Sequence, residues 1–370
     1  MRRNCVRKNL KSLRLLFALL AVFGLIAAAC GDDDGDDTGS GDDGTEQTDG
    51  GDGGDGDGEA SDISVGMVYD IGGRGDQSFN DAAYRGLTQA ADEFGIEVDD
   101  LEPSAGGENR EELLRLLAEQ GYDLVIGVGF AFADAVTAVS EEFPDTEFAI
   151  IDSVVEADNV ASMVFAEEQG SFLVGAAAAL QSESGQIGFI GGVENDLIAK
   201  FEAGYVAGAQ AVNPDIQVEV SYISQPPDFS GFNDPARARE IAASMYQGGA
   251  DVIYHAAGGS GNGLFEAAAD AGEPGEVWAI GVDSDQYEIV GEPLNQYILT
   301  SMLKRVDNAV YQIIERYVGG EDISGVQEFD LESEGVGYST SGDFLGDITG
   351  DLDAFAEQIT AGDIEVPTAP

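Results

Sequence analysis

The chain has 370 residues, and its 71 Asp and Glu against 16 Lys and Arg give a formal net charge of −55. This excess of acid excludes a protein that binds nucleic acid through its phosphates. Both cysteines, Cys5 and Cys30, lie near the N-terminus, so the remainder of the chain has no disulfide and no thiolate metal site. His255 is the one histidine. A Ser/His/Asp triad would therefore need His255 as its base, and Cys/His chemistry and zinc clusters are excluded.

Residues 1–29 have the composition of an export signal. Six Lys or Arg and no acid occur in residues 1–14, and an uncharged apolar run follows from Leu15 to Ala29. A membrane span needs roughly 20 apolar residues, so this run is too short. The segment from Ile26 to Cys30, IAAAC, resembles a bacterial lipobox. We therefore expect Cys30 to be lipidated and to anchor an extracytoplasmic protein to the cell membrane. The alternative is an ordinary signal peptide cut near Ala29.

Residues 30–61 follow the signal as an acidic, Gly-rich segment without aromatic residues. Such a segment cannot bury enough apolar surface to fold, and its like charges extend it. We expect a disordered tether between membrane and domain. Beyond it, Lys200 and Lys304 are the chain's last two lysines. Scarce lysine and excess acid indicate life in high salt, where screening relieves repulsion, although a biased genome could produce part of the same pattern.

From residue 63 onward, short β-branched runs alternate with helical patterns, which predicts an α/β fold of doubly wound parallel sheets. The predicted strands are Ile63–Tyr69, Ile96–Leu101, Leu124–Val128, Glu147–Ile151, Gln186–Ile190, Gln217–Ile223, Val252–Tyr254 and Val277–Val282. The predicted helices are Phe79–Phe94, Arg110–Gln120, Ala133–Glu142, Ser171–Gln181, Leu197–Val212, Pro235–Tyr246, Leu264–Ala271 and Thr300–Tyr317.

About 300 residues of this kind suit two Rossmann-like lobes joined by a hinge. We expect lobe 1 to comprise residues 62–164 and 296–322, and lobe 2 to comprise residues 165–295 and 323–370. Several chain crossings between lobes form a hinge, and the gap between them is a natural ligand site. Ligands of open parallel sheets bind beyond the carboxyl ends of the strands.

The loop after the first strand, from Asp70 to Asn80, reads DIGGRGDQSFN. Its glycines allow a sharp turn, and Asp76 or Ser78 can cap the following helix. Phe79 and Asn80 offer a flat apolar face beside an amide. An ordinary turn with Phe79 packed in the core is an equally good interpretation of the spacing.

Charged residues follow other strands. Asp152 and Asp283 each stand at a predicted strand end, and Lys304 lies near a helix start. Carboxylates and an ammonium facing one cleft suit the recognition of vicinal hydroxyls, whereas the alternatives are a strand-end turn for Asp283 and a surface cation for Lys304. The Gly-rich turn at Gly258 and Gly259 lacks the G-x-G-x-x-G spacing of a dinucleotide site, which favours a turn that exposes backbone N–H groups.

Seven motifs in order now carry a family resemblance. They are the loop of residues 70–80, GVGF at 127–130, IDS at 151–153, KFEAGYVAGA at 200–209, GFNDP at 231–235, AAGGSGNG at 256–263 and GVDSDQ at 281–286. Together they resemble the BMP family of lipoproteins, the PnrA-like nucleoside-binding proteins, from about residue 63 to the C-terminus. The resemblance implies a type I periplasmic-binding fold whose lobes close on one purine or pyrimidine nucleoside for delivery to an ABC transporter permease.

The resemblance also assigns roles to individual residues. It places the base between Phe79 and Phe201 and its polar edge against Asn80 and Asp152. The ribose hydroxyls would contact three charged side chains and the backbone of a turn: Asp70, Asp283, Lys304, Gly258 and Gly259. We expect a monomer that is not an enzyme and needs no cofactor or metal. His255 departs from the family pattern; it could reach the ligand, but a core position at a strand end is favoured.

Two other functions remain open. Type I lobes also bind sugars and furanose signals, for transport or for a receptor, but paired aromatic rings with an amide favour a base. An exported nucleoside hydrolase would need acids such as Asp70 and Asp76 to act as a base or to hold a cation. The sequence shows no paired-carboxylate motif for it.

Overall fold

The computed structural model describes residues 63–370. The predicted export signal, Cys30 and the acidic tether lie outside the described residues. Within the described part, every helix is too short or too polar to cross a membrane.

The first part of this chain builds most of one lobe from alternating strands and helices. The elements are β1 (Ser64–Val68), α1 (Phe79–Phe94), β2 (Glu97–Leu101), α2 (Arg110–Gln120), β3 (Leu124–Gly127), α3 (Ala133–Glu142), β4 (Glu147–Ile151) and β5 (Val160–Phe165). These strands are parallel, and β1, β3, β4 and β5 are almost wholly buried. Continuous apolar strands of this kind are covered by helices on both faces.

The second lobe repeats the pattern. Its elements are α4 (Glu167–Gln181), β6 (Gln186–Val193), α5 (Asp196–Val212), β7 (Gln217–Ser224), α6 (Pro235–Gly248), β8 (Val252–Ala256), α7 (Asn262–Ala271), β9 (Trp278–Asp283), α8 (Gln286–Val290) and β10 (Ile298–Lys304). Helices α4 and α5 lie very close together, because a Cβ atom on Gly204 or Gly208 would collide with the backbone carbonyls of Glu168 or Phe172. This approach fixes the middle of α5 beside the first turns of α4.

The chain then returns to the first lobe and leaves it again. The last elements are α9 (Val306–Val318), β11 (Gly325–Phe329), β12 (Val336–Tyr338) and α10 (Thr349–Thr360). Helix α9 packs on α1, and β11 joins the edge of the first sheet beside β5. The sheet orders are β11-β5-β4-β3-β1-β2 and β12-β10-β9-β8-β6-β7. The predicted α/β class with two doubly wound lobes is confirmed, with β12 as an antiparallel edge strand.

The predicted lobe boundaries are wrong near the C-terminus. Residues 298–304 form a strand of the second sheet, not the start of a helix in lobe 1, and residues 325–329 belong to the first sheet, not to lobe 2. The apolar run of β10 continues into the apolar face of α9, so the sequence pattern does not show that the strand ends at Lys304. The helix predicted over 300–317 therefore begins only at Val306.

Three crossings connect the lobes, and they lie side by side. The chain crosses at Ala166, at Arg305 and between Phe329 and Val336. The backbone N–H of Ala166 donates to the carbonyl of Phe329 at 2.9 Å, and that of Arg305 donates to Gly335 at 2.9 Å. Crossings bonded to each other in this way form one hinge.

Candidate functional site

A cavity lies between the lobes at the carboxyl ends of both sheets. All nine side chains or glycines predicted to bind ligand line it: Asp70, Phe79, Asn80, Asp152, Phe201, Gly258, Gly259, Asp283 and Lys304. They come from the ends of β1, β4, β8, β9 and β10, from the first turn of α1 and from the second turn of α5. The structure thus brings together residues that are up to 234 positions apart in the sequence.

Phe79 and Phe201 share this crevice, with Lys304 between them. The Lys304 Nζ atom lies 5.3 Å from the ring centroid of Phe79 and 5.5 Å from that of Phe201. Phe79 belongs to lobe 1 and Phe201 to lobe 2, where Asn195 caps the start of α5 by accepting a hydrogen bond from the Ile198 N–H. Phe79 is only half-buried, so it packs on the core and also faces the cavity.

Lys304 is the centre of a buried charge network. It is 1 % exposed, so it is not a surface cation. Its Nζ lies 2.6 Å from Asp152 and 3.1 Å from Glu167, and Glu167 also pairs with Lys200 at 3.2 Å. Burial by itself lowers the pKa of Lys304, but the surrounding carboxylates outweigh it and hold that pKa above its ordinary value. The ammonium is therefore charged, and it lies against two carboxylates.

Asp152 carries the lobe 1 side of this network. Its backbone is left-handed, with φ of 68°, which Asp tolerates better than most residues. Burial raises its pKa to about 6, against the opposing effect of Lys304. Its position directly after β4 aims the carboxylate across the lobe junction toward Lys304.

Asp70 is held by three neighbours after β1. Its backbone N–H donates to the Asn80 Oδ1 at 3.0 Å, and its carboxylate accepts from the Ile71 N–H and from Arg110 at 3.0 Å. Burial raises the pKa of Asp70, and Arg110 partly offsets that effect. The Asn80 oxygen is thus engaged within the protein, and its NH₂ group is the part left for a ligand.

Asp283 lies at the end of β9 and faces Ser78 of the other lobe. The Ser78 hydroxyl donates to its carboxylate at 2.5 Å. Burial raises the pKa of Asp283 to about 7, although Lys304 and Ser78 oppose the shift. Like Asp152 it has a left-handed backbone, with φ of 64°. Strained residues of this kind cluster at functional sites.

Asp76, and not Ser78, caps the start of α1 with its side chain. Its carboxylate accepts from the backbone N–H groups of Ser78, Asn80 and Asp81. Burial raises its pKa to about 6. His255 is fully buried and does not line the cavity, which favours the core position over a contact with ligand.

Sequence reasoning missed several residues at this site. Phe130 and Phe232 line the cavity from opposite lobes, with ring centroids 6.3 Å apart. Arg110 and Glu167 do not line it but hold Asp70 and Lys304. Arg110 is 40 positions from Asp70 and Glu167 is 137 from Lys304. The spacing in the sequence therefore does not indicate that Arg110 and Glu167 belong to the site. Phe130 and Phe232 do lie in the GVGF and GFNDP motifs, which indicate them.

Two lobes of parallel α/β sheets, a hinge of three crossings and a cavity between the carboxyl ends define a protein that binds a small solute between two lobes. Residues 63–369 match the family described as Bmp, ABC transporter substrate-binding protein PnrA-like. The chain belongs to this family of substrate-binding proteins. The predicted membership and the type I periplasmic-binding fold are confirmed.

Individual relatives agree with this assignment. The chain is 35% identical to the CD4+ T-cell-stimulating antigen of Listeria innocua, over 97% of this chain and 99% of the relative. It is 34% identical to the ABC transporter nucleoside-binding protein BmpA of Lactococcus lactis subsp. cremoris, over 75% of this chain and 81% of that protein. A solved structure of an ABC transporter solute-binding protein from Aeropyrum pernix K1 is 29% identical with a TM-score of 0.72, covering 83% of this chain and 93% of that one.

Proposed function

We propose that the cavity binds one nucleoside, which the protein delivers to an ABC transporter permease. The observation that carries the proposal is the position of Lys304 within 5.5 Å of both aromatic rings, Phe79 and Phe201, in a cavity that also holds Asp152 and Asp283. A nucleoside has the matching parts, a flat heterocycle joined to a neutral diol. The relative from Lactococcus lactis that is named as nucleoside-binding supports the same ligand class.

Each part of the ligand has a partner of suitable chemistry. Phe79 and Phe201 stack on the base, at roughly 1–3 kcal/mol per base and with little preference among bases. Asn80 and Asp152 contact its polar edge. The ribose hydroxyls donate to Asp70 and Asp283 and accept from the ammonium of Lys304, and backbone groups at Gly258 and Gly259 complete the contacts.

Closure of the lobes gives the protein its affinity. The aromatic rings and the carboxylates come from both lobes, so a ligand makes all its contacts only when the lobes are closed. We further propose that the protein is held at the outer face of the cell membrane through lipidated Cys30, as its N-terminal sequence predicts. We also propose that it is a monomer.

Calorimetry on the purified protein tests the ligand class. Adenosine, guanosine, inosine, cytidine and uridine are titrated beside ribose, glucose and the free bases. The proposal expects saturable one-to-one binding of at least one nucleoside, with ribose and free base each far weaker. Chromatography of the recovered ligand must return the nucleoside intact, since released base would instead identify a hydrolase. Binding of a sugar but of no nucleoside would overturn the proposal.

A further inference from the structure

A second set of contacts joins the lobes outside the cavity. The Ser284 hydroxyl donates to the Ser78 carbonyl at 3.0 Å, and the Gln286 Nε2 donates to the Gln77 carbonyl at 3.1 Å. Gln77 and Ser78 belong to lobe 1, and Ser284 and Gln286 belong to lobe 2. We name these four residues the latch. None of the four lines the cavity.

The orientation of the Gln286 amide has a single consistent assignment. Its Oε1 lies 2.8 Å from the backbone N–H of Val282, which can only donate, so this atom accepts. The His255 Nε2 lies 3.0 Å from the same oxygen and must therefore carry the ring proton. The amide nitrogen then points to the Gln77 carbonyl, which can only accept. All three contacts of the side chain fit this one arrangement.

His255 is itself held in place. Its ring is fully buried and lies edge-on to Phe265, with ring centroids 5.5 Å apart. A Cβ atom on Gly261 would collide with the imidazole, so the ring occupies space that a glycine leaves free. Burial lowers the pKa of His255 to about 4, which leaves a neutral ring with one N–H. That N–H is the one directed to Gln286.

Gln77, whose carbonyl accepts the hydrogen bond from Gln286, has an unusual backbone conformation. Gln77 has a left-handed backbone with φ of 57°, which a residue other than glycine rarely adopts. Such a conformation persists only where surrounding contacts hold it. Gln77 and Ser78 directly precede Phe79 and Asn80, which face the cavity. The latch therefore acts on the loop that presents the lobe 1 half of the ligand site.

We propose that Gln286, oriented by His255, is a positioning residue that holds the Gln77–Ser78 loop against lobe 2 and so sets ligand affinity without contacting the ligand. The identity of the ligand rests on the proposed function above. A contact made only between closed lobes stabilises the closed state, and affinity rises with the population of that state. Its loss accelerates ligand release more than it slows capture.

Gln286→Glu tests this role with little change in shape. The glutamate keeps an oxygen for the N–H groups of Val282 and His255 but places a second oxygen against the Gln77 carbonyl. We expect the tightest-binding nucleoside of the wild-type screen to dissociate roughly 5- to 20-fold faster, with association almost unchanged, as the loss of one hydrogen bond plus repulsion implies. Gln247→Glu is the matched control, because Gln247 is an exposed glutamine of the same lobe.

Small-angle X-ray scattering separates closure from mere stability. The ligand-free Gln286→Glu protein should have a larger radius of gyration than the wild type and the control, and saturating nucleoside should remove the difference. Ser284→Ala serves as the second variant if circular dichroism shows that Gln286→Glu does not fold, and the same direction is expected. Wild-type dissociation rates in the folded variants would overturn the proposal.

The two proposals fail in different ways. If the wild type binds no nucleoside, the proposed function is wrong, and the latch is then judged by scattering alone. In that case a larger radius of gyration in Gln286→Glu supports the latch, and equal values for wild type and variant overturn it.

Discussion

Lys304 and Asp152 meet across the junction of the two lobes, with the ammonium nitrogen 2.6 Å from a carboxylate oxygen. Asp152 follows β4 of lobe 1, and Lys304 ends β10 of lobe 2 just before the chain crosses back. The ion pair therefore lies at both the ligand cavity and the hinge. Since both side chains are buried, their charges are strongly coupled.

Replacement of Lys304 by Met should destabilise the fold. The change leaves Asp152 and Glu167 buried without their shared cation, at a cost of about 3–5 kcal/mol in the free energy of unfolding. Chemical denaturation measures this loss. The cost should be smaller at pH 5 than at pH 8, because an unpaired buried Asp152 takes up a proton more readily.

Lys200→Met is the control for that variant. Lys200 also contacts Glu167, but its side chain is 32% exposed, so the same substitution should cost no more than about 1 kcal/mol. A triple variant, Lys304→Met with Asp152→Asn and Glu167→Gln, should recover much of the lost stability. Equal effects of the two lysine substitutions would contradict the described network.

Phe79→Leu should weaken nucleoside binding roughly 10-fold, since leucine fills similar space but gives no ring to stack on the base. Calorimetry measures the dissociation constant. Phe94→Leu is the matched control, because Phe94 ends the same helix and packs on Tyr311 away from the cavity. Similar affinities of the two variants would show that the Phe79 ring does not bind the base.

The pKa of Asp283, about 7 in the folded protein, predicts opposite effects of pH on binding and on stability. If ribose hydroxyls donate to the ionised carboxylate, nucleoside affinity rises between pH 6 and pH 8. In the unfolded chain the Asp283 carboxyl has its ordinary pKa of about 3.8, so it has lost its proton above that pH. In the folded protein the same carboxyl keeps its proton up to about pH 7. The contribution of Asp283 to stability is therefore present at low pH and is lost as the pH rises through about 7.

Titrations at constant salt from pH 5.5 to pH 8.5 test the binding effect. Asp283→Asn should bind nucleoside more weakly, and its affinity should no longer rise with pH above pH 6. Below pH 6 the affinity should still depend on pH, because Asp76 and Asp152 have raised pKa values of about 6 each. An unchanged slope in Asp283→Asn would assign the dependence to another group.

Nucleoside monophosphates should bind at least roughly 100-fold more weakly than the parent nucleosides, because like charges in a closed site cost several kcal/mol. Four carboxylates line the cavity, and its lysine is already paired with Asp152 and Glu167. A 5′-O-methyl nucleoside is the control, since it adds bulk without charge. A monophosphate that binds as tightly as this neutral derivative would contradict the electrostatic argument.

Local signals predicted much of the fold. The bounds of α1 and α2 agree to the residue, because Gly95 and Gly121 end these helices in left-handed conformations and the polar DQS and EN segments precede them. Strand β5 is absent from the predicted strands, and most of β10 falls within a predicted helix. Both are identified by their partners in the sheets, which local periodicity does not reveal.

The candidate site was predictable for a related reason. Strand ends are visible in the sequence, so Asp70, Asp152 and Asp283 could be placed at the edge where a ligand binds. Their pKa values could not be predicted, because they depend on distant residues such as Arg110, Glu167 and Ser78. The alternatives for Lys304 and His255 were likewise decided by burial, which a short motif does not encode.

The side-by-side crossings also constrain the order in which the chain can fold. The first sheet needs β11, and α1 needs α9 as its packing partner, yet both follow the whole of residues 166–304. A nascent chain that ends before residue 306 therefore has β5 as an open sheet edge and an apolar stripe on α1 without cover. Folding of the N-terminal half must wait for the C-terminal quarter, so contacts of long sequence separation control its rate.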